Sequence, residues 1–245
     1  MLTRKIEGIV ISETNYSESS KILNVLTKDL GIISVISKGC RKLKSKLRSV
    51  STKLTYGDFI VNYKENGIST LIEVDNLYDF KNIMSDINRI SYASYILELA
   101  SGVAKQNSSE EVFTILISSL KKINEGLDPL IISMVVELQY LKFLGIDISL
   151  DCCSNCGSTT NILTLSSDRG GYICKECYLN ELIVSEKSIK VIRLLYYADI
   201  DKITKLNLAS QTIKEINKFL EEYYDKYSGL YLKSKHFIEL LNNTQ

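Results

Sequence analysis

One histidine and one proline are all that 245 residues contain of those types, and no run of about eighteen uncharged apolar residues occurs. The missing run excludes a membrane-spanning helix. His236 has no nucleophile or carboxylate motif beside it, so it reads as an ordinary helix residue rather than a general base or a metal ligand. A zinc deaminase needs Pro-Cys-x-x-Cys and His-x-Glu, and both are missing. So are a Walker-type glycine loop and a carboxylate metal cluster. These gaps predict a protein that is not an enzyme. The opening Met1-Leu2-Thr3-Arg4-Lys5-Ile6-Glu7 carries charge where a signal peptide needs its apolar run, so a reducing cytoplasm is the expected setting, with no membrane partner. The chain shows no internal repeat, low-complexity tract or long linker. A net charge of only +1 gives no global argument for a polyanionic partner.

Against this background the cysteines stand out. Cys153-x2-Cys156, a seventeen-residue spacer and Cys174-x2-Cys177 match four thiolates closing on one zinc ion. Four protein sulfurs leave no open position for water, so the site reads as structural. The spacer suits a small hairpin: Ile162, Leu163 and Leu165 are apolar, and Ser167-Asp168-Arg169-Gly170-Gly171 makes a turn. A ribbon this short cannot bury a core, so metal ligation supplies its folding free energy, on the order of 10 kcal/mol apparent. Two disulfides or a thioredoxin-like redox pair are the competing readings. The first needs an oxidising compartment and the second a βαβ setting, and neither is indicated. Cys152 is a spare thiol. Cys40 sits among cations that favour its thiolate, yet a small filler residue is its simpler role.

Strand patterns run through about residue 80: Ile6 to Ser12, Ile22 to Leu26, Ile32 to Ile36, Asp58 to Tyr63 and Ser69 to Val74. Turns at Lys28-Asp29-Leu30-Gly31 and Glu65-Asn66-Gly67 point to antiparallel hairpins. Five such strands suit a small barrel of the oligonucleotide-binding (OB) type, although an SH3-like barrel accommodates them nearly as well. After Asp79 the apolar period changes from two to about 3.6. Tyr92, Ile96, Leu99 and Val103 line one helix; Phe113, Leu116, Ile117 and Leu120 line a second, behind the capping stretch Asn107-Ser108-Ser109-Glu110. Asp128 and Pro129 open a third, with Ile131, Met134, Val135, Leu138 and Leu141 inward. Ile189, Ile192 and Tyr196 mark another, and Ile213, Ile216, Leu220 and Tyr223 a longer one. The expected class is α+β: a five-stranded OB-fold barrel over 1–80, then a helical domain over 81–245 with the zinc ribbon inserted at 150–178.

Charge is unevenly spread. Between Asp29 and Asp58 there is no acidic residue, while Lys38, Arg41, Lys42, Lys44, Lys46, Arg48 and Lys53 crowd that interval. Cations this dense repel one another unless phosphates neutralise them, which makes a nucleic-acid backbone the leading partner of the segment joining the third and fourth strands. A solvated loop kept soluble by lysines is the plainer alternative. Tyr16, Tyr56, Phe59 and Tyr63 offer stacking faces, with core packing the commoner use of each.

Taken together, these residues resemble the bacterial recombination mediator family RecO. The resemblance spans essentially the whole chain: Tyr16-Ser17-Glu18-Ser19 before the second strand, Lys38-Gly39-Cys40-Arg41-Lys42 after the third, Leu150-Asp151 ahead of the ribbon, and Gly170-Gly171 before its second knuckle. It implies an N-terminal OB barrel, a helical domain with a zinc ribbon, and a non-enzymatic role in recombinational repair. It further implies binding of single- and double-stranded DNA, annealing of complementary strands, and work with RecR to load RecA onto DNA coated by single-strand-binding protein. By position, Lys38, Arg41 and Lys42 carry over as DNA contacts, followed by Lys44, Lys46 and Arg48. Cys153, Cys156, Cys174 and Cys177 carry over as zinc ligands. The rival reading is a zinc-ribbon protein-interaction scaffold on which the basic loop is incidental.

Overall fold

The computed structural model describes residues 2–242, so Met1 and 243–245, at the ends of the two expected domains, lie outside the described residues, as does the side chain of His236. Five strands, β1 (Leu2–Tyr16), β2 (Ser20–Thr27), β3 (Gly31–Ser37), β4 (Tyr56–Tyr63) and β5 (Ser69–Tyr78), close into a barrel in the order β1-β2-β3-β5-β4. All pairings are antiparallel except a short parallel one, Val35 with Ser69 and Ile36 with Thr70. That pairing decides for the OB arrangement over the alternative barrel, because a fifth strand returning parallel beside the third is the Greek-key closure. Alternation along the strands sends Ile6, Val10, Leu23, Val25, Ile33, Val35, Phe59, Val61 and Leu71 into one buried core.

The first strand is longer than its apolar stretch predicts, because it serves two partners. Residues Leu2–Ile9 pair with β4 and Gly8–Tyr16 with β2, so the strand bends where the two registers overlap. At the overlap Gly8 faces Gly57, and a side chain at either would collide: a β-carbon on Gly8 would lie 2.6 Å from Val25, and one on Gly57 2.4 Å from the Asp75 carbonyl oxygen. A bulge between Val10 and Ser12 adds to the bend.

The described residues form two compact units, 2–87 with 97–117, and 88–96 with 118–242. The helices among the described residues are α1 (Lys81–Met84), α2 (Ile87–Gln106), α3 (Glu110–Asn124), α4 (Pro129–Tyr140), α5 (Glu186–Tyr196), α6 (Ser210–Tyr227) and α7 (Lys233–Asn242), of which α2 to α6 follow the periodicity. The Ser109 hydroxyl accepts from the Val112 amide at 3.2 Å and caps α3. Asp128 accepts from the Leu130 amide at 2.9 Å, with Pro129 at the first helical position of α4. The sequence predicts one apolar face for α4. In the structure it is buried on every side, Ser133, Val136 and Glu137 included. A carboxylate at that depth needs a donor, and the Tyr95 hydroxyl donates to it; the Tyr224 hydroxyl donates to the backbone carbonyl of Glu137 at 2.8 Å. Burial pushes the Glu137 carboxyl up, against the opposing pull of Lys235 and the Tyr95 bond. Between α4 and α5 a two-stranded ribbon, β6 (Ile162–Ser166) and β7 (Gly171–Cys174), forms the expected hairpin.

Candidate metal centre and nucleic-acid interface

The ribbon brings its four cysteine sulfurs to one point. Two tight turns present them: the Gly157 amide donates to the Cys153 carbonyl at 2.9 Å, and the Cys177 amide to the Cys174 carbonyl at 3.1 Å. The first knuckle is sewn to β7 by the Ser154 amide, which donates to the Tyr172 carbonyl at 2.8 Å. As a result the Sγ atoms of Cys153, Cys156, Cys174 and Cys177 all lie within 4.8 Å of one another, with Cys156 and Cys174 3.7 Å apart. Four sulfurs each about 2.3 Å from a central zinc would be about 3.8 Å apart, so the set fits a tetrahedral ion. The same spacing is far beyond a disulfide bond of about 2.05 Å, and all six cysteines are free. Cys152 is turned to Ser149, 3.5 Å from its hydroxyl, and takes no part; Cys40 is buried.

The sulfurs differ electrostatically before any ion binds. Burial disfavours the Cys153 thiolate, yet hydrogen bonds from the amides of Cys174, Cys156 and Asn155 outweigh it and hold the thiol down to about 6. Burial pushes Cys174 up to about 12. Amide hydrogen bonds thus favour the thiolate at Cys153, and burial disfavours it at Cys174.

Around this centre lie groups that spacing alone does not reveal. The Asn155 side-chain amide donates to the Cys177 sulfur at 3.2 Å, and the Arg169 guanidinium bonds the Cys177 carbonyl at 2.8 Å while pairing with Glu181 at 3.2 Å. Below the ribbon, Asp151 pairs with Arg193 at 2.7 Å and accepts from the Tyr197 hydroxyl at 2.7 Å, and Tyr172 donates to the Ile189 carbonyl. These bonds dock the metal centre on α5.

The basic segment occupies the loop between β3 and β4. It is a chain of turns rather than a helix: the Lys42 amide donates to Gly39, the Ser45 amide to Lys42 and the Arg48 amide to Ser45, at 3.1, 3.1 and 3.2 Å. Its base is pinned to the β1–β2 turn by the Arg41 amide on the Ser19 carbonyl at 2.9 Å and the Gly39 amide on Ser20 Oγ at 3.2 Å. Leu47 packs on the barrel core, which leaves Lys38, Arg41, Lys42, Lys44, Lys46 and Arg48 all exposed. Among the described residues none of these six forms an ion pair, whereas Lys5, Lys21 and Lys28 elsewhere on the barrel each have a carboxylate within 3.2 Å. Of the four aromatics, Phe59 and Tyr56 are core residues, Tyr63 packs partly on that core with Arg4 over its ring at 4.6 Å, and Tyr16 is half exposed.

Comparison with known proteins draws these observations together. The family model described as "Recombination protein O N terminal" matches residues 1–80, and "Recombination protein O C terminal" matches 84–236. The chain belongs to the RecO family. Similar proteins named DNA repair protein RecO include those of Bacillus pumilus, 34% identical over 98% of this chain and 94% of the relative, and Bacillus subtilis, 32% identical over 99% and 96%. That of Listeria monocytogenes is 34% identical over 96% of this chain and 93% of its own. Within the RecO frame, the N-terminal match covers the barrel and basic loop, and the C-terminal match covers α2 to α6 and the cysteine ribbon. Among the described residues no helix is long and apolar enough to cross a membrane.

Proposed function

We propose that this RecO-family chain is a non-enzymatic recombination mediator. Residues 1–80 bind single- and double-stranded DNA through Lys38, Arg41, Lys42, Lys44, Lys46 and Arg48, and residues 81–245 carry the ribbon. The protein anneals complementary strands and, with RecR, helps load RecA onto DNA coated by single-strand-binding protein in the bacterial cytoplasm, at the nucleoid. One observation supports the DNA reading above the rest: six exposed cations crowd one barrel loop without an ion pair among the described residues, although acidic side chains pair with other lysines of the same barrel.

One zinc ion is the natural occupant of the four-sulfur set, held by Cys153, Cys156, Cys174 and Cys177. Zinc would supply a cross-link between the two knuckles there. The residues around it hold the two knuckles on β7 and α5, and no ligand position is left for a reacting water.

Annealing of complementary oligonucleotides coated with the cognate single-strand-binding protein tests the whole reading. Wild-type protein accelerates it and the Arg41→Ala/Lys42→Ala variant does so several-fold less, at unchanged helical content. Equal rates for the two proteins would instead favour the scaffold reading, for which Leu179, Leu182 and Ile183, exposed just beyond the ribbon, offer an apolar contact surface.

A further inference from the structure

The basic loop ends in a bend held against its backbone preference. Leu54 is buried and adopts φ +71°, a left-handed conformation that a branched side chain rarely takes. Its amide donates to the Val10 carbonyl at 3.0 Å, and the Val10 amide donates to Thr55 at 2.9 Å, beside the bulge of β1. The Lys53 amide is tied to the Glu13 carboxylate at 3.0 Å. Strain fixed so firmly by its surroundings is characteristic of ligand clamps.

What the bend shapes is a cleft of about 380 Å³ within the barrel unit, with Thr52, Lys53 and Thr55 of the loop on its walls together with Asn76, Tyr78 and Met84. Tyr78 is only half-buried, and its ring rests on Phe80 at 5.1 Å between centroids, so that Phe80, itself packed near Tyr56 at 6.4 Å, braces it. The walls therefore combine a braced aromatic ring, an exposed side-chain amide, hydroxyls, the Lys81–Asp79 ion pair and a further lysine, Lys53. Lys53 is half-buried, and desolvation lowers its pKa against the attraction of Glu98 and Glu13. Lys53 follows the cations of the basic loop in the chain and carries their positive charge onto the cleft wall.

The geometry points to a subsite for one unstacked nucleobase of a single strand, with the base ring on Tyr78, its edge toward Asn76 and the threonine hydroxyls, and a neighbouring phosphate at Lys53. A nucleotide is the ligand class that presents a flat π-face, a hydrogen-bonding edge and an anion together. Ser49, also at the cleft, follows Arg48 directly, so a strand whose phosphates lie on the loop cations leads into it. This assignment rests on the DNA reading above and adds a base contact to a binding mode otherwise made of phosphates.

The test compares two strands of equal length at one salt concentration, oligothymidylate and the same strand with every base replaced by an abasic residue. Full-length wild-type protein binds the base-bearing strand about ten-fold more tightly, the scale of one base stacked on an aromatic ring. Tyr78→Ala and, separately, the milder Asn76→Ala reduce that preference, while affinity for the abasic strand and its salt dependence stay as in wild type. The abasic strand thus reports that the barrel and its loop remain folded in each variant. Equal wild-type affinity for the two strands overturns the subsite and leaves the phosphate contacts standing, as does a preference that survives in both variants; a protein segment as the true occupant would give the first of these results. Loss of binding to both strands in wild type overturns the DNA reading together with the subsite.

Discussion

Gly171 lies so close to Ser149 that a β-carbon on it would sit 2.2 Å from the Ser149 carbonyl oxygen. The two residues form a parallel bridge, extended by the Ser149 amide on Gly170 and the Tyr172 amide on Ser149, both at 2.9 Å. Gly171 also has φ +140°, open to glycine and strained for any other residue. Gly171→Ala is therefore expected to cost at least about 2 kcal/mol and to loosen the ribbon on its base. Thermal unfolding and limited proteolysis within residues 151–178 check both effects.

Metal analysis gives the second prediction. Protein prepared without chelator should hold one zinc per chain, and Cys174→Ser should lose most of it, because three sulfurs no longer close the tetrahedron. Chelation should expose the ribbon to protease while the barrel's own unfolding transition persists. Full zinc retention in the serine variant would remove Cys174 from the ligand set.

A third expectation concerns salt. Each phosphate contact releases counterions, so the logarithm of affinity for single strands falls with the logarithm of salt concentration by about 0.7 per contact. Arg41→Ala/Lys42→Ala should weaken binding and make the slope shallower by roughly 1.4, two contacts' worth. The loss should be alike for unrelated sequences, since phosphate contacts do not read bases. An unchanged slope would move the contacts off this loop.

The fourth is a pH dependence. Burial alone would raise Glu215, but bonds from the Ser188 hydroxyl at 2.6 Å and from the Ser185 amide at 2.9 Å, helped by Gln211 and the Ser185 hydroxyl, hold it at about 2. Its folded value lies below the unfolded value of about 4.3. The carboxylate's contribution is thus complete above the unfolded value and is lost as pH falls from about 4.3 toward about 2. Glu215→Gln should be less stable at neutral pH by about 1–2 kcal/mol and should show a smaller acid-induced drop than wild type. Denaturant titrations across that range read both.

Much of this was legible in the residues, and what was not has identifiable causes. Short-range chemistry reads directly: the two Cys-x2-Cys knuckles, the Asp128-Pro129 helix start and the Ser167–Gly171 turn all appear where their local patterns put them. Strand ends do not. Lys5, Glu13 and Asn15 look unlike strand, yet they belong to β1 because pairing with β4 and β2 supplies what propensity withholds. Helix α1 is too short to show a period, and the choice between barrel types hung on Val35–Ser69 and Ile36–Thr70, a contact across more than thirty residues that no local pattern encodes. At the candidate site the cations were visible as a run, whereas Arg169, Asn155 and the cleft beside Leu54 come from residues brought together only by folding.

The parallel seam has a mechanical consequence. Every other pair of neighbouring barrel strands is zipped along most of a strand, while β3 and β5 meet only at Val35–Ser69 and Ile36–Thr70. A closed sheet opens first along its shortest ladder, so amide hydrogens of β3 and β5 facing this seam should exchange with solvent sooner than those between β1 and its two partners. The barrel in this sense behaves as a curled ribbon fastened by a single small clasp, and a partner that holds the clasp shut would slow the exchange of both strands together.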